Sequence, residues 1–179
     1  MRSPAASFVA VVLAGALLSG CSHGSTDSHE LTDSHELTQR SARTVVDASE
    51  QASRRENYDE LLKYTSADCV IHQKTARTGA IDTSSKSCRD AVSASQQAIG
   101  SAVAEGAVHK YVSEVFSVDV QGDKAIARMK TVDTLTKNGH VLEVESHQSE
   151  TLQLRNGQVL ITQIDGETEI PTMDGRRIN

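Results

Sequence analysis

The chain has 179 residues, a formal net charge of −6, three tyrosines, two phenylalanines and no tryptophan. The acidic balance, with no basic stripe, argues against nucleic acid as a partner. So few rings leave little for stacking bases or sugars, and the length suits one small domain.

Residues 1–20 carry a single charge, Arg2, followed by an apolar stretch from Phe8 to Leu18. That run is too short to cross a bilayer comfortably and fits a secretory leader. Leu18-Ser19-Gly20-Cys21 resembles the bacterial lipoprotein signal, in which small residues precede an obligatory cysteine. The resemblance implies cleavage before Cys21, diacylation of that cysteine, and attachment to a membrane on the periplasmic side. Ser22, rather than Asp, implies sorting to the outer membrane in a Gram-negative envelope. An ordinary signal peptide with a coincidental cysteine is the alternative. The three cysteines then divide into one lipidated residue and the pair Cys69 and Cys88, in a compartment that permits disulfides. A bridge would contribute about 3 kcal/mol in the chain-entropy view; two buried thiols are the other reading.

The hexapeptide TDSHEL occurs twice, at 26–31 and 32–37, amid Ser, Thr, Asp and Gly. With no periodic apolar face, residues 21–38 read as a flexible tether. His29 and His35 are six apart and fall on different sides of a helix, so the repeat is read as duplicated linker and not as a metal site. A domain over 39–170 and a C-terminal tail over 171–179 complete the expected organisation.

From Ser41 to Tyr64 the apolar spacing is helical. Ser53-Arg-Arg-Glu56 has capping-box form, which predicts a break and a second helix over 54–65. Residues 68–72, DCVIH, read as a short strand, followed by a polar loop through Gly79. Ser87-Cys-Arg-Asp90 opens another helix bearing Val92, Ile99 and Val103, with Gly106 as its stop. The period then changes to two. Gly122-Asp123, Asn138-Gly139 and Asn156-Gly157 are two-residue hairpin signals. They predict a meander of four strands, 109–121, 124–137, 140–155 and 158–168.

Two-residue turns set the register: Gln121 faces Lys124, Lys137 faces His140, and Arg155 faces Gln158. Counting away from the turns gives rows on one face. The first holds Val120, Ala125, Leu152 and Ile161; the second Val118, Ala127, Glu150 and Gln163. The third holds Phe116, Met129, Gln148 and Asp165. Glu114, Thr131 and Ser146 follow, then Val112, Asp133 and Val144, and last Leu135 with Leu142. His109, Tyr111 and His147 fall on the opposite face.

This element order, with DELLKYTSADCVIH and ETLQLRNGQVLITQIDGE, resembles the nuclear transport factor 2-like (SnoaL-like) superfamily over about 41–168. The resemblance implies an α+β cone, N-terminal helices packed on a curved antiparallel meander, with a pocket on the concave face. Members include isomerases, cyclases, dehydratases, hydrolases and non-enzymatic binding domains, so fold alone implies no reaction. Some enzymatic members use an aspartate near the end of the last strand as a base. Asp165 lies in a similar place, although IDGE departs from the aromatic–acid pairing usual there.

Glu150, among apolar neighbours on the inferred inner wall, is expected to have a raised pKa and to suit a general base. Asp165 is its candidate acid–base companion. Glu114, Phe116, Met129, Thr131, Gln148 and Gln163 are candidate ligand contacts, and His72 is placed at the mouth. No triad order, phosphate loop or zinc motif is present, and no cofactor or metal is expected. The reading favoured is a lipid-anchored domain binding a small polar or cationic ligand, or an envelope protein, without catalysis. The alternatives are an isomerase- or hydratase-type enzyme using Glu150 or Asp165, and an immunity-type inhibitory lipoprotein. Homodimerisation through the convex sheet stays open.

Overall fold

The computed structural model describes residues 36–77 and 80–178. The leader, Cys21 and the TDSHEL repeat except its last residues lie outside them. Three helices, α1 (Gln39–Arg54), α2 (Tyr58–Lys63) and α3 (Cys88–Ala104), accompany eight strands: β1 (Thr65–Arg77), β2 (Ala80–Ser87), β3 (Val108–Gln121), β4 (Lys124–Lys137), β5 (His140–Arg155), β6 (Gln158–Thr168), β7 (Thr172–Met173) and β8 (Arg176–Arg177). The main path of the sheet runs β2-β1-β6-β5-β4-β3. Only β1 and β6 pair in parallel; the other pairings are antiparallel.

α1 starts at Thr38, whose side chain and Ser41 satisfy each other's backbone N–H groups in a capping box. The predicted box at Ser53–Glu56 does not form. Instead α1 ends in a Schellman turn: Glu56 N–H bonds Ser53 O at 3.0 Å and Asn57 N–H bonds Ala52 O at 3.0 Å. Glu56 occupies the left-handed position, φ 54°, where glycine is usual. Asn57, one residue on, caps α2, so that helix begins four residues later than expected. α3 obeys its sequence signals: Ser87 accepts from Asp90 N at 3.0 Å, and Gly106 closes it at φ 87°.

The three hairpins form with the predicted closing pairs. Asn138-Gly139 and Asn156-Gly157 both have positive φ at each central position, as a type I′ turn requires. The residues expected to be a polar loop before α3 form the long β1–β2 hairpin. The C-terminal tail is also structured: Met173 pairs with Leu142 and Thr172 with Glu143, prolonging the cover on β5.

The core fills the space between helices and sheet. Val46, Ala42 and Leu61 meet Met129, Leu152, Ile161 and Ile164 there. Cys69 on β1 and Cys88 at the start of α3 are disulfide-bonded, with Cα atoms 5.3 Å apart.

Candidate functional site

Over β4 and β5 every predicted pair forms, from Ala125 with Leu152 to Leu135 with Leu142. Thr131, Gln148 and Glu150 therefore stand on the inner wall, facing the helices, and are buried; so is Met129. Two bulges change the neighbouring strands. In β3, Met129 pairs with Val115 and Arg128 with Ser117, leaving Phe116 as the extra residue. In β6, Leu152 pairs with Ile161 and Thr151 with Gln163, leaving Thr162 extra. One added residue reverses the side-chain parity of everything beyond it.

Five expected wall residues are thereby corrected to the other face: Val112, Glu114, Phe116, Gln163 and Asp165. Glu114 now pairs with Lys130, and Phe116 is 54 % exposed. Asp165 accepts a hydrogen bond from Gln163 Nε2 at 2.7 Å. Glu150 and Asp165 thus lie on opposite sides of the sheet and cannot act as one acid–base pair. The β3 bulge carries His109 and Tyr111, expected outside, into the interior.

What replaces them is a polar cluster at the helix–sheet interface. Tyr111 donates to Glu50 Oε2 at 2.9 Å, both buried. Arg54 Nη2 donates to the Ser113 carbonyl at 3.0 Å and to its hydroxyl at 2.8 Å. His109 lies between two carboxylates, Nδ1 at 3.3 Å from Glu56 Oε1 and Nε2 at 3.0 Å from Asp133 Oδ1. A doubly protonated ring satisfies both. Burial pulls the His109 pKa down, but Asp133 and then Glu56 outweigh it and leave it raised. Asp133 is itself raised, because burial outweighs its imidazole partner. Glu56, at the left-handed position of the turn, is one end of this clamp, which ties the α1–α2 corner to β3 and β4.

Glu150 is a strongly perturbed group of the wall. Burial, with Glu50's charge added, pushes its pKa up to about 8. Burial also raises Glu50, against the hydrogen bonds from Ser113 and Tyr111. Glu150 Oε2 and Asp133 Oδ2 are buried without a hydrogen-bond partner. Buried carboxylate oxygens in that condition are costly and rare.

Across the sheet, His72, Phe116, Arg128, Ser149 and Asp165 line an open groove of about 810 Å³. Three sequence candidates, His72, Phe116 and Asp165, therefore do come together, but outside the cone. Glu145, His147 and Glu169 place ligand-type atoms within 4.8 Å of one another; Lys130 already holds Glu145 at 2.7 Å.

Helices on one face of a bent, mostly antiparallel sheet define an α+β architecture whose interior holds a polar cluster beside its apolar core. Comparison with solved structures specifies it further. A ketosteroid isomerase-like protein from Erwinia carotovora atroseptica superposes with a TM-score of 0.52 at 16 % identity, over 73 % of this chain and 95 % of that one. A conserved protein from Planctomyces limnophilus gives 0.56 at 15 % identity over 74 % and 96 %. An NTF2-like protein of unknown function from Methylobacillus flagellatus gives 0.50 at 12 % identity over 72 % and 90 %. No family model matches the sequence, and no curated protein is similar to it. The protein has an NTF2-like fold; identities this low carry nothing about activity.

Proposed function

We propose that the protein is a lipid-anchored envelope protein whose NTF2-like domain binds a small cationic ligand at its inner acidic wall, without catalysis. The observation that carries this reading is Glu150: a buried carboxylate with an unpartnered oxygen, beside a second buried carboxylate, Glu50. An ammonium group seated between them would supply the missing donors and relieve the repulsion. Such binding drives the proton off Glu150, so affinity should rise with pH until about 8, the carboxyl's own pKa. Calorimetric titration of the full chain in detergent with primary alkylammonium ions tests it, with quaternary ions, which have no N–H to donate, as the weaker-binding comparator. Binding that strengthens with pH, releases a proton and is lost in Glu150→Gln supports the reading; binding indifferent to that substitution, or no binding, refutes it.

The anchor rests on the lipoprotein-like Leu18–Cys21 signal. Among the described residues no helix is long and apolar enough to cross a membrane; this reading assigns attachment to Cys21. Cys21→Ser should move the protein from the outer-membrane fraction, periplasm-facing, to the soluble one. An unchanged membrane fraction would count against lipidation.

One observation favours a second reading, proton-transfer catalysis. A carboxyl with a pKa of about 8 can carry a proton near neutral pH. In that reading Glu150 acts alone among the sequence candidates, and an isomerase-type turnover abolished in Glu150→Gln would establish it. A pulldown from envelope extract that recovers an enzyme and inhibits it would instead favour the inhibitory-lipoprotein reading.

A further inference from the structure

The outer groove is distinct from the acidic wall, and its polar lining is ordered by the sheet itself. One continuous rung crosses six strands: Ser85 pairs with His72, His72 with Asp165, Asp165 with Ser149, Ser149 with Arg128, and Arg128 with Ser117. With strands about 4.8 Å apart, donors and acceptors are presented over roughly 24 Å on one face. Asp165 and Arg128 offer two-oxygen and forked N–H groups, the shapes that bridge adjacent hydroxyls.

At one side of this rung stands Phe116. It is the only phenylalanine after Cys21. The three tyrosines are buried, yet Phe116 is turned out by its bulge and left 54 % exposed on the groove. A lone exposed ring beside a polar floor suits a ligand with one apolar face and a hydroxylated rim. Both cations lining the groove meet carboxylates, Lys74 at 3.4 Å from Glu167 and Arg128 at 3.0 Å from Asp119, while Asp165 is held by the neutral amide of Gln163. A charged ligand would have to break these pairs, whereas a neutral one hydrogen-bonds around them.

We propose that this groove is a binding site for a neutral saccharide, one pyranose face lying on Phe116 and its hydroxyls bridging Asp165, Ser149 and Arg128. The site is independent of the inner wall and of Glu150. A volume of about 810 Å³ has room for more than one sugar ring.

Saturation-transfer NMR on the full chain, held in a sugar-free zwitterionic detergent, tests this with cellobiose and the N-acetylglucosamine dimer as probes and glucuronate as the anionic comparator. Saturation of pyranose ring protons is expected. Affinity should fall at least about tenfold in Phe116→Ala, fall in Asp165→Asn, and hold in Glu150→Gln. Because Phe116 is exposed, its truncation leaves the fold intact, which the amide spectrum verifies. Absence of saturation overturns the proposal, as does binding indifferent to Phe116→Ala or stronger for glucuronate than for the neutral sugars. A solution dimer dissociated by Phe116→Ala would likewise overturn it, since a second copy would then own this face.

Discussion

Replacing Glu150 by Gln should change how stability depends on pH, by an amount the structure allows one to work out. The unfolded carboxyl titrates near its ordinary value of 4.5, the folded one near about 8. Between those limits the native state holds a proton that the unfolded state has released. Unfolding free energy therefore falls as pH rises, by about 1.4 kcal/mol per pH unit from this one group. The contribution is complete below the unfolded pKa, declines through the window, and is exhausted above the folded pKa. From about pH 5 to about pH 7 the loss is roughly 3 kcal/mol. Gln keeps the side chain's shape and one carbonyl acceptor but cannot ionise, so its contribution is flat. Glu50, Asp133 and His109 also titrate with raised pKa values and remain in both proteins; the difference between wild type and variant reports Glu150 together with its coupling to Glu50. Urea titrations at several pH values should show the variant gaining on the wild type as pH rises, with unchanged m-values. Parallel pH profiles would mean that Glu150 is solvated or partnered in solution, and the account of the acidic wall would fall with it.

Tyr111→Phe removes the hydroxyl donor of buried Glu50 and should cost about 1–3 kcal/mol in urea unfolding; a neutral result would deny that the Tyr111–Glu50 bond forms. Reducing the Cys69–Cys88 bridge, which closes a 19-residue separation, should lower stability by about 3 kcal/mol, with an unchanged denaturation midpoint under reductant as the contrary outcome. Ser87→Ala takes the cap from α3 and should cost about 1 kcal/mol; thermal unfolding checks it, and no shift would show the cap to be dispensable.

Local chemistry was enough for the hairpins. Asn-Gly pairs tolerate positive φ at both turn positions, and a two-residue turn leaves one register for β4 against β5, so Glu150, Gln148 and Thr131 could be assigned to the inner face from spacing alone. Ser87 and Gly106 bounded α3 for equally local reasons. Asp174-Gly175 carried the same hairpin signal as the other turns, with both φ values positive, and could have revealed that the tail folds back on β5. The end of α1 was harder to read, because Glu56 holds a position normally taken by glycine and its carboxylate meets His109, 53 residues away.

The bulges lay beyond sequence altogether. Phe116 and Thr162 are ordinary strand formers, and neither is marked by glycine or proline; each is extruded because the curved sheet must close over the helices. Alternation along a strand is a local property, but where it skips is decided by how whole strands bend together. For that reason composition and spacing could nominate Glu150 and Asp165, and only the assembled sheet could put one inside the cone and the other outside, exchanging Asp165 and Phe116 for Tyr111 and His109 at the inner wall.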